Sequence, residues 1–226
     1  MDEDFLVCSD DRCVLMADDF SESQLDDSAL SKFNSVIADI LKVYPDAVLA
    51  GAVAAAKYVR DPETPRQTFD VDILLGEKDF AEFLVDEIPE DKLKALEARF
   101  ETSDSANHSL KHRETGIYVD LMSTGSKPLR NSIIREAFEN RNHATHLLIG
   151  ENHAIDILKP ELLLAMKTIR YCKNPKSEKG ISDRLDIVKI LKTMAAKKIP
   201  VDHEKVCSFL RDFEIKQYKV LVDSSV

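Results

Sequence analysis

The feature that most constrains this chain is a pair of aspartates inside an otherwise apolar segment. Asp70 and Asp72 alternate with apolar residues at the start of the run FDVDILL, residues 69–75. The run predicts a β-strand, in which residues two apart point to the same face of the sheet, so both carboxylates converge on one place. Two such charges repel each other and are costly to bury. A divalent cation removes that repulsion, and carboxylate oxygens suit Mg²⁺ bound together with phosphates and water.

A third acid lies in a similar apolar setting further along the chain. Asp120 occupies the middle of IYVDLM, residues 117–122, which predicts a strand that forms a hairpin with residues 109–113. One interpretation is an edge strand with Asp120 facing water, and the other is a third ligand for the same cation. The pair at Asp70 and Asp72 favours the second interpretation.

A glycine turn precedes these acids. The apolar segment at residues 47–50 predicts a short buried strand, and Gly51 separates it from a predicted helix of small residues, Ala52 to Tyr58. A glycine at such a turn allows a phosphate to approach the backbone, and the start of the following helix offers N–H donors. Many proteins contain a strand–glycine–helix turn, so this feature gains meaning only beside the acids.

Apolar periodicity predicts a mixed α/β protein in three parts: an acidic N-terminal segment at 1–26, a core at 27–158 and a C-terminal helical region at 159–226. Further predicted elements are a hairpin around residues 8–13, a helix with apolar residues at Leu93, Leu96 and Phe100, a strand pair at 146–149 and 154–158, and C-terminal helices at 161–171, 182–194 and 203–213. The apolar fraction of 44% and the charged fraction of 32% are those of a globular chain.

Other features of the sequence limit the location and the partners. No run of about 18 apolar residues predicts a membrane span. The acidic start MDEDF lacks the basic beginning of a secretory signal, and the four cysteines are scattered, so we expect a cytoplasmic protein. The net charge of −10 argues weakly against a non-specific nucleic-acid binder. We interpret the basic cluster of Lys173, Lys176, Lys179 and Arg184 as a solvated surface.

These motifs together carry a family resemblance. Gly51-Ala52, then Arg66-x-Thr68-x-Asp70-Val71-Asp72, then Val119-Asp120-Leu121 resemble the glycine turn, the paired-aspartate strand and the third-acid strand of the nucleotidyltransferase superfamily that contains DNA polymerase beta. The chain is more narrowly similar to AbiEii-type toxins of toxin–antitoxin systems, which carry a later lysine helix and then an acidic helix. Lys167 matches that lysine, and Asp183 and Asp186 match those acids.

The resemblance implies a fold and a reaction. The fold would be a mixed-sheet nucleotidyltransferase core followed by a C-terminal helical region. The reaction would move a nucleoside monophosphate from a nucleoside triphosphate to an RNA or protein acceptor, with an antitoxin protein as a candidate partner. Two Mg²⁺ ions, about 3.5–4 Å apart, would be held by Asp70, Asp72 and Asp120. Lys167 would balance phosphate charge.

Gly51, Ala52, Arg66 and Thr68 would form the nucleotide-binding part of such a site, and Arg66 would either contact phosphate or pair with an acid. The family turn usually has a second glycine or a serine where this chain has Ala52. An alanine keeps the backbone N–H but offers no hydroxyl, which motivates a second hypothesis, a catalytically weak nucleotidyltransferase-like binding module.

Two pairs of polar residues leave alternatives open. Asp183 and Asp186 are one helical turn apart, and they either orient Lys167 or Arg170 toward the site or form an ordinary surface acid pair. His108 and His112 lack the glutamate of a zinc-protease motif, and we interpret both as surface histidines.

Overall fold

The computed structural model describes residues 7–9, 12–15, 27–59, 68, 70–84, 88–102, 109–123, 128–139, 144–148 and 154–225. Within these ranges the strands form one mixed nine-stranded sheet in the order β1-β2-β8-β9-β3-β4-β7-β6-β5. The strands are β1 (Val7–Ser9), β2 (Arg12–Leu15), β3 (Val48–Ala50), β4 (Asp70–Leu74), β5 (Phe100–Thr102), β6 (Ser109–His112), β7 (Tyr118–Met122), β8 (Ala144–Leu148) and β9 (Ala154–Leu158).

Helices surround this sheet and dominate the C-terminal part of the chain. They are α1 (Asp27–Val43), α2 (Gly51–Tyr58), α3 (Glu77–Leu84), α4 (Glu90–Arg99), α5 (Pro128–Glu139), α6 (Pro160–Lys173), α7 (Glu178–Ala196), α8 (His203–Ser208) and α9 (Asp212–Asp223). The predicted mixed α/β core followed by a C-terminal helical region is confirmed. No helix of the described ranges combines the length and apolarity needed to cross a membrane.

The middle of the sheet positions the acids. β4 runs antiparallel to β3 on one side and parallel to β7 on the other, and β7 pairs antiparallel with β6. Residues 71–74 of β4 are buried, which agrees with the apolar run that predicted this strand. Because β3 leads directly into α2, the glycine turn lies beside the aspartate pair.

The helix α2 is buried along its whole length, from Gly51 to Tyr58. Four of its residues are alanines and Lys57 is its one charged residue, and a helix that is mostly apolar all round belongs in the interior of a protein. Its small side chains let it contact β4, α6 and α7 at once. The C-terminal helices are therefore joined to the sheet through α2, next to the acids.

Three local predictions were wrong. Residues 203–213 contain the whole of α8 and only the first two residues of α9. The two helices are separate because Arg211 caps the start of α9 with a capping box, in which its backbone N–H donates to Glu214 Oε2. Phe100, predicted as helical, begins β5 and pairs with His112. His112 is fully buried against the Phe100 ring, with Nε2 3.1 Å from Asp39 Oδ2, so it is not a surface histidine. His108 lies outside the described residues.

Candidate functional site

Four residues from four neighbouring strands lie side by side across the sheet. Ala50 pairs with Asp72, Asp72 with Asp120, and Asp120 with Ser109. We call these four residues the acid row. Paired residues of adjacent strands face the same side of a sheet, and Asp70 faces that side too because it precedes Asp72 by two residues. The structure thus places the three predicted aspartates on one face.

Gly51 fits against the central acid. Its φ is +67°, a conformation that residues with a side chain rarely adopt. A Cβ atom added there would lie 1.6 Å from Asp72 Oδ2, far inside any allowed contact. Glycine is therefore required both by the backbone conformation and by the closeness of the carboxylate. The next residue, Ala52, is only 4% exposed.

Asp72 lies in an unfavourable environment for a carboxylate. It is 8% exposed, and within the described part of the chain no hydrogen bond reaches its side chain. Burial raises the pKa of Asp72, and the neighbouring charge of Asp70 raises it further, against opposing effects of Arg170, Lys167 and Lys179. The ionised form is thus penalised unless a further positive charge approaches.

The two outer acids are each held by a hydroxyl group. Thr68 Oγ1 donates to Asp70 Oδ1 at 2.9 Å, and Ser109 Oγ donates to Asp120 Oδ1 at 2.5 Å. Thr68 was predicted at the site from the family pattern. Ser109 was not, because its position opposite Asp120 depends on the register of the hairpin.

A cavity of about 410 Å³ opens beside the acid row. Sheet residues, with the glycine turn, form one side, and residues of α6, α7 and the turn between them form the other. The lining comprises Gly51, Asp72, Asp120, Leu121, Met122, Leu163, Met166, Lys167, Arg170, Lys173, Asn174, Ser177, Lys179 and Gly180. Of the three predicted aspartates, Asp72 and Asp120 belong to this described lining, and Asp70 lies next to it.

The turn between α6 and α7 forms a cationic wall of the cavity. Ser177 caps α7 by accepting a hydrogen bond from the Gly180 N–H, and a Cβ on Gly180 would lie 2.0 Å from the Asn174 carbonyl oxygen. This tight turn places Lys173 and Lys179 on the lining. Neither lysine forms an ion pair with a carboxylate in the described ranges. The interpretation of their cluster as mere solvated surface missed this position.

Two other cations are already engaged. Lys167, 2% exposed, donates to Asp186 Oδ2 at 2.6 Å and to Asp183 Oδ1 at 3.3 Å. Arg170 donates to both oxygens of Asp183 through Nε and Nη2. We call Lys167, Arg170, Asp183 and Asp186 the charge network. Its two acids are buried, so the interpretation of a surface acid pair is wrong, and they hold Lys167 and Arg170 at the cavity wall.

The network also favours the ionised form of Asp183. Burial alone would raise the pKa of Asp183, but the hydrogen bond from Arg170 and the charges of Lys167 and Arg170 hold it below its ordinary value. Arg170 in turn has a raised pKa, because its bonds to Asp183 outweigh the effect of burial. At neutral pH the Arg170 guanidinium thus lies against an ionised Asp183.

The donor set fits a hard divalent cation. Carboxylate oxygens of Asp72 and Asp120, with Asp70 beside them, are the ligand type that Mg²⁺ prefers, and the penalised charge of Asp72 would be relieved by one. In the part of the chain that the structure describes, no group of three or more His, Cys, Asp or Glu side chains is arranged so that it could hold a metal ion, so the three aspartates do not form a complete metal site by themselves. Mg²⁺ typically takes one or two carboxylates and completes its shell with phosphates and water. Arg66, the remaining predicted site residue, lies outside the described residues.

Comparison with known proteins places this geometry in a known fold. No family model matches the chain, and no curated protein matches it in sequence. Among solved structures, it is similar to an antigenic nucleotidyltransferase-like protein from Paracoccidioides brasiliensis, with 18% identity, a TM-score of 0.57, and coverage of 89% of this chain and 95% of that one. The antibiotic-resistance factor ANT(2'')-Ia matches at 12% identity and a TM-score of 0.43, over 86% of this chain and 92% of that one. The first similarity shows a nucleotidyltransferase-like fold.

Proposed function

We propose that this chain is a Mg²⁺-dependent nucleotidyltransferase that moves a nucleoside monophosphate from a nucleoside triphosphate to an acceptor hydroxyl. The observation that carries the proposal is the acid row, which lies against Gly51 on one side of a cavity whose other side is cationic. The acidic wall of such a cavity would bind metal, and the cationic wall would bind phosphate. The nucleotidyltransferase-like fold supports the same conclusion.

Asp70, Asp72 and Asp120 are the residues that would hold Mg²⁺. When bound, the metal would neutralise the charge that builds on the phosphates and lower the pKa of the attacking hydroxyl. Gly51 leaves room for this by presenting backbone where any side chain would strike Asp72. In the metal-free protein it is costly to keep the buried Asp72 ionised. Bound Mg²⁺ would remove that cost, and this favours metal binding.

The cations of this wall would have two different roles. Lys173 and Lys179 are exposed at the cavity and would contact the triphosphate directly. Lys167 and Arg170 would act through their field and by shaping the wall, because Asp183 and Asp186 hold them. The prediction was that Lys167 itself balances phosphate charge. This assignment keeps Lys167 at the site but gives it an indirect role.

The reaction would proceed by in-line displacement. The acceptor oxygen attacks the α-phosphorus, the bond from that phosphorus to the bridging oxygen breaks, and pyrophosphate leaves with the electron pair. The proton of the acceptor hydroxyl would pass to Asp120 Oδ2, since Oδ1 already accepts from Ser109. The acceptor would be an RNA end or a protein hydroxyl.

A label-transfer survey tests this proposal. Each of the four common α-labelled nucleoside triphosphates is incubated with the protein, Mg²⁺, and total cellular RNA and protein. We expect label in one acceptor fraction with the wild-type chain and none with Asp72→Asn. If the folded protein transferred label from none of the four nucleotides, the proposal would be overturned.

The alternative is a catalytically weak module that binds a nucleotide without transferring it. Ala52 favours this candidate, because it is buried and lacks the hydroxyl expected at the family's turn. Calorimetry together with the label-transfer survey separates the two candidates, since a binding module would bind Mg²⁺–nucleotide and yet transfer no label. Three acids on one face favour the enzyme.

We further propose the narrower relationship to AbiEii-type toxins, with an antitoxin protein as partner. The lysine helix followed by an acidic helix supports it, since these are the elements that build the charge network. Induced expression of the wild-type chain should then arrest growth, and Asp72→Asn should not. Equal growth of cells that express the two proteins would count against a toxin.

A further inference from the structure

We propose that Ser109 is a positioning residue for Asp120, and that its hydroxyl fixes one carboxylate oxygen so that the other faces the metal and the acceptor. The inference rests on the metal site of the proposed function. It assigns a role to a residue that no sequence motif indicated. Ser109 lies on β6, which is outside the segments that carry the family resemblance.

The geometry is specific to this serine. Ser109 and Asp120 are direct partners in the antiparallel pairing of β6 and β7, so their side chains rise from the same face of the sheet. Ser109 is 9% exposed, and its Oγ donates to Asp120 Oδ1 at 2.5 Å. A buried hydroxyl at this distance restricts rotation of the carboxylate group. Oδ2 is then left as the oxygen available to a ligand.

The other two acids are fixed as well, each in its own way. Thr68 holds Asp70 through the same oxygen, Oδ1, at 2.9 Å. Asp72, between them, is confined by the backbone of Gly51. The three carboxylates are thus oriented before any metal binds. Removing a side chain that orients a metal ligand typically lowers metal affinity or activity about 10- to 100-fold.

An isosteric pair of variants tests this role. Ser109→Thr keeps the hydroxyl and Ser109→Val replaces it with a methyl group, and both β-branched residues suit a strand. Ser123→Ala is the matched control, because Ser123 is another buried serine and its Oγ has no hydrogen-bond partner among the described residues. The probes are the four common α,β-methylene nucleoside triphosphates, which cannot be transferred, titrated by calorimetry with Mg²⁺ and again with EDTA.

We expect Ser109→Val to weaken binding about 10- to 100-fold in Mg²⁺ and to leave binding in EDTA unchanged, while Ser109→Thr and Ser123→Ala behave as wild type. In an Asp120→Asn background, Ser109→Val should add no further loss. Equal Mg²⁺-dependent affinity of the Thr and Val variants would overturn the inference, as would an equal loss in EDTA. If the wild-type protein bound Mg²⁺–nucleotide but never transferred label, that result would refute the proposed function and not the positioning role of Ser109.

Discussion

Replacing Lys167 by methionine should destabilise the folded protein rather than simply slow a reaction. Methionine preserves the length of the apolar stem but removes the ammonium group. Asp186 would then lose a bond of 2.6 Å and Asp183 one of 3.3 Å, at positions where both acids are buried. Removing one partner of a buried ion pair typically costs about 3–5 kcal/mol, because the remaining charge stays uncompensated.

The expected loss is large enough to measure directly. For a chain of this size, about 3–5 kcal/mol corresponds to a fall in Tm of about 6–20 °C. Urea unfolding gives the free energy of unfolding, and thermal unfolding gives Tm. Combining Lys167→Met with Asp186→Asn should restore part of the stability, because an amide is far cheaper to bury than a bare carboxylate.

Lys179→Met is the matched comparison, since the same substitution is made on the same cationic wall of the cavity, at a lysine without an ion pair to a carboxylate in the described ranges. Lys179 lies in the first turn of α7, where a positive charge is slightly unfavourable, so its loss should leave stability unchanged or slightly higher. Its effect should fall on the affinity for Mg²⁺–nucleotide instead. A free energy of unfolding for Lys167→Met within about 1 kcal/mol of wild type would refute the role of the charge network.

Two other perturbations give distinct results. Gly51→Ala should cost about 1–2 kcal/mol through its backbone conformation alone, and should abolish Mg²⁺–nucleotide binding in a calorimetric titration because its Cβ displaces Asp72. Asp72→Asn should raise Tm in metal-free buffer at neutral pH. The pKa of Asp72 is raised in the folded chain, so its contribution to stability falls as pH rises from about 4 through that raised pKa. The Tm advantage of the variant should therefore disappear as the buffer is taken below about pH 4.

The sequence indicated the central strands because their patterns are local. Alternation in residues 69–75 required both aspartates on one face, and the apolar segments around Gly51 and Asp120 marked the neighbouring strands. Glycine at position 51 was explained only by the structure, since the approach of Asp72 Oδ2 depends on how β3 and β4 pair.

Features that depend on contacts between distant elements were less visible. Lys167 was predicted at the site, and Asp183 and Asp186 were predicted either to orient it or to form a surface acid pair. The sequence could not decide between these alternatives, because the ion pairs join α6 to α7. Ser109 needed the hairpin register, and α9 was merged with α8 because one periodic pattern continues across the break at residues 209–211. The structure resolves such cases because burial and ion pairing are properties of the assembled elements.

The most direct test of the central claim follows both ends of the nucleotide in one reaction. The triphosphate that labels an acceptor best is supplied either with its α-phosphate or with its γ-phosphate labelled, in Mg²⁺, with wild-type protein and with Asp120→Asn. Nucleotidyl transfer predicts α-label on the acceptor, an equal amount of pyrophosphate released, no γ-label on the acceptor, and loss of all three signals in the variant. Transfer of the γ-label, or wild-type activity in Asp120→Asn, would contradict the account.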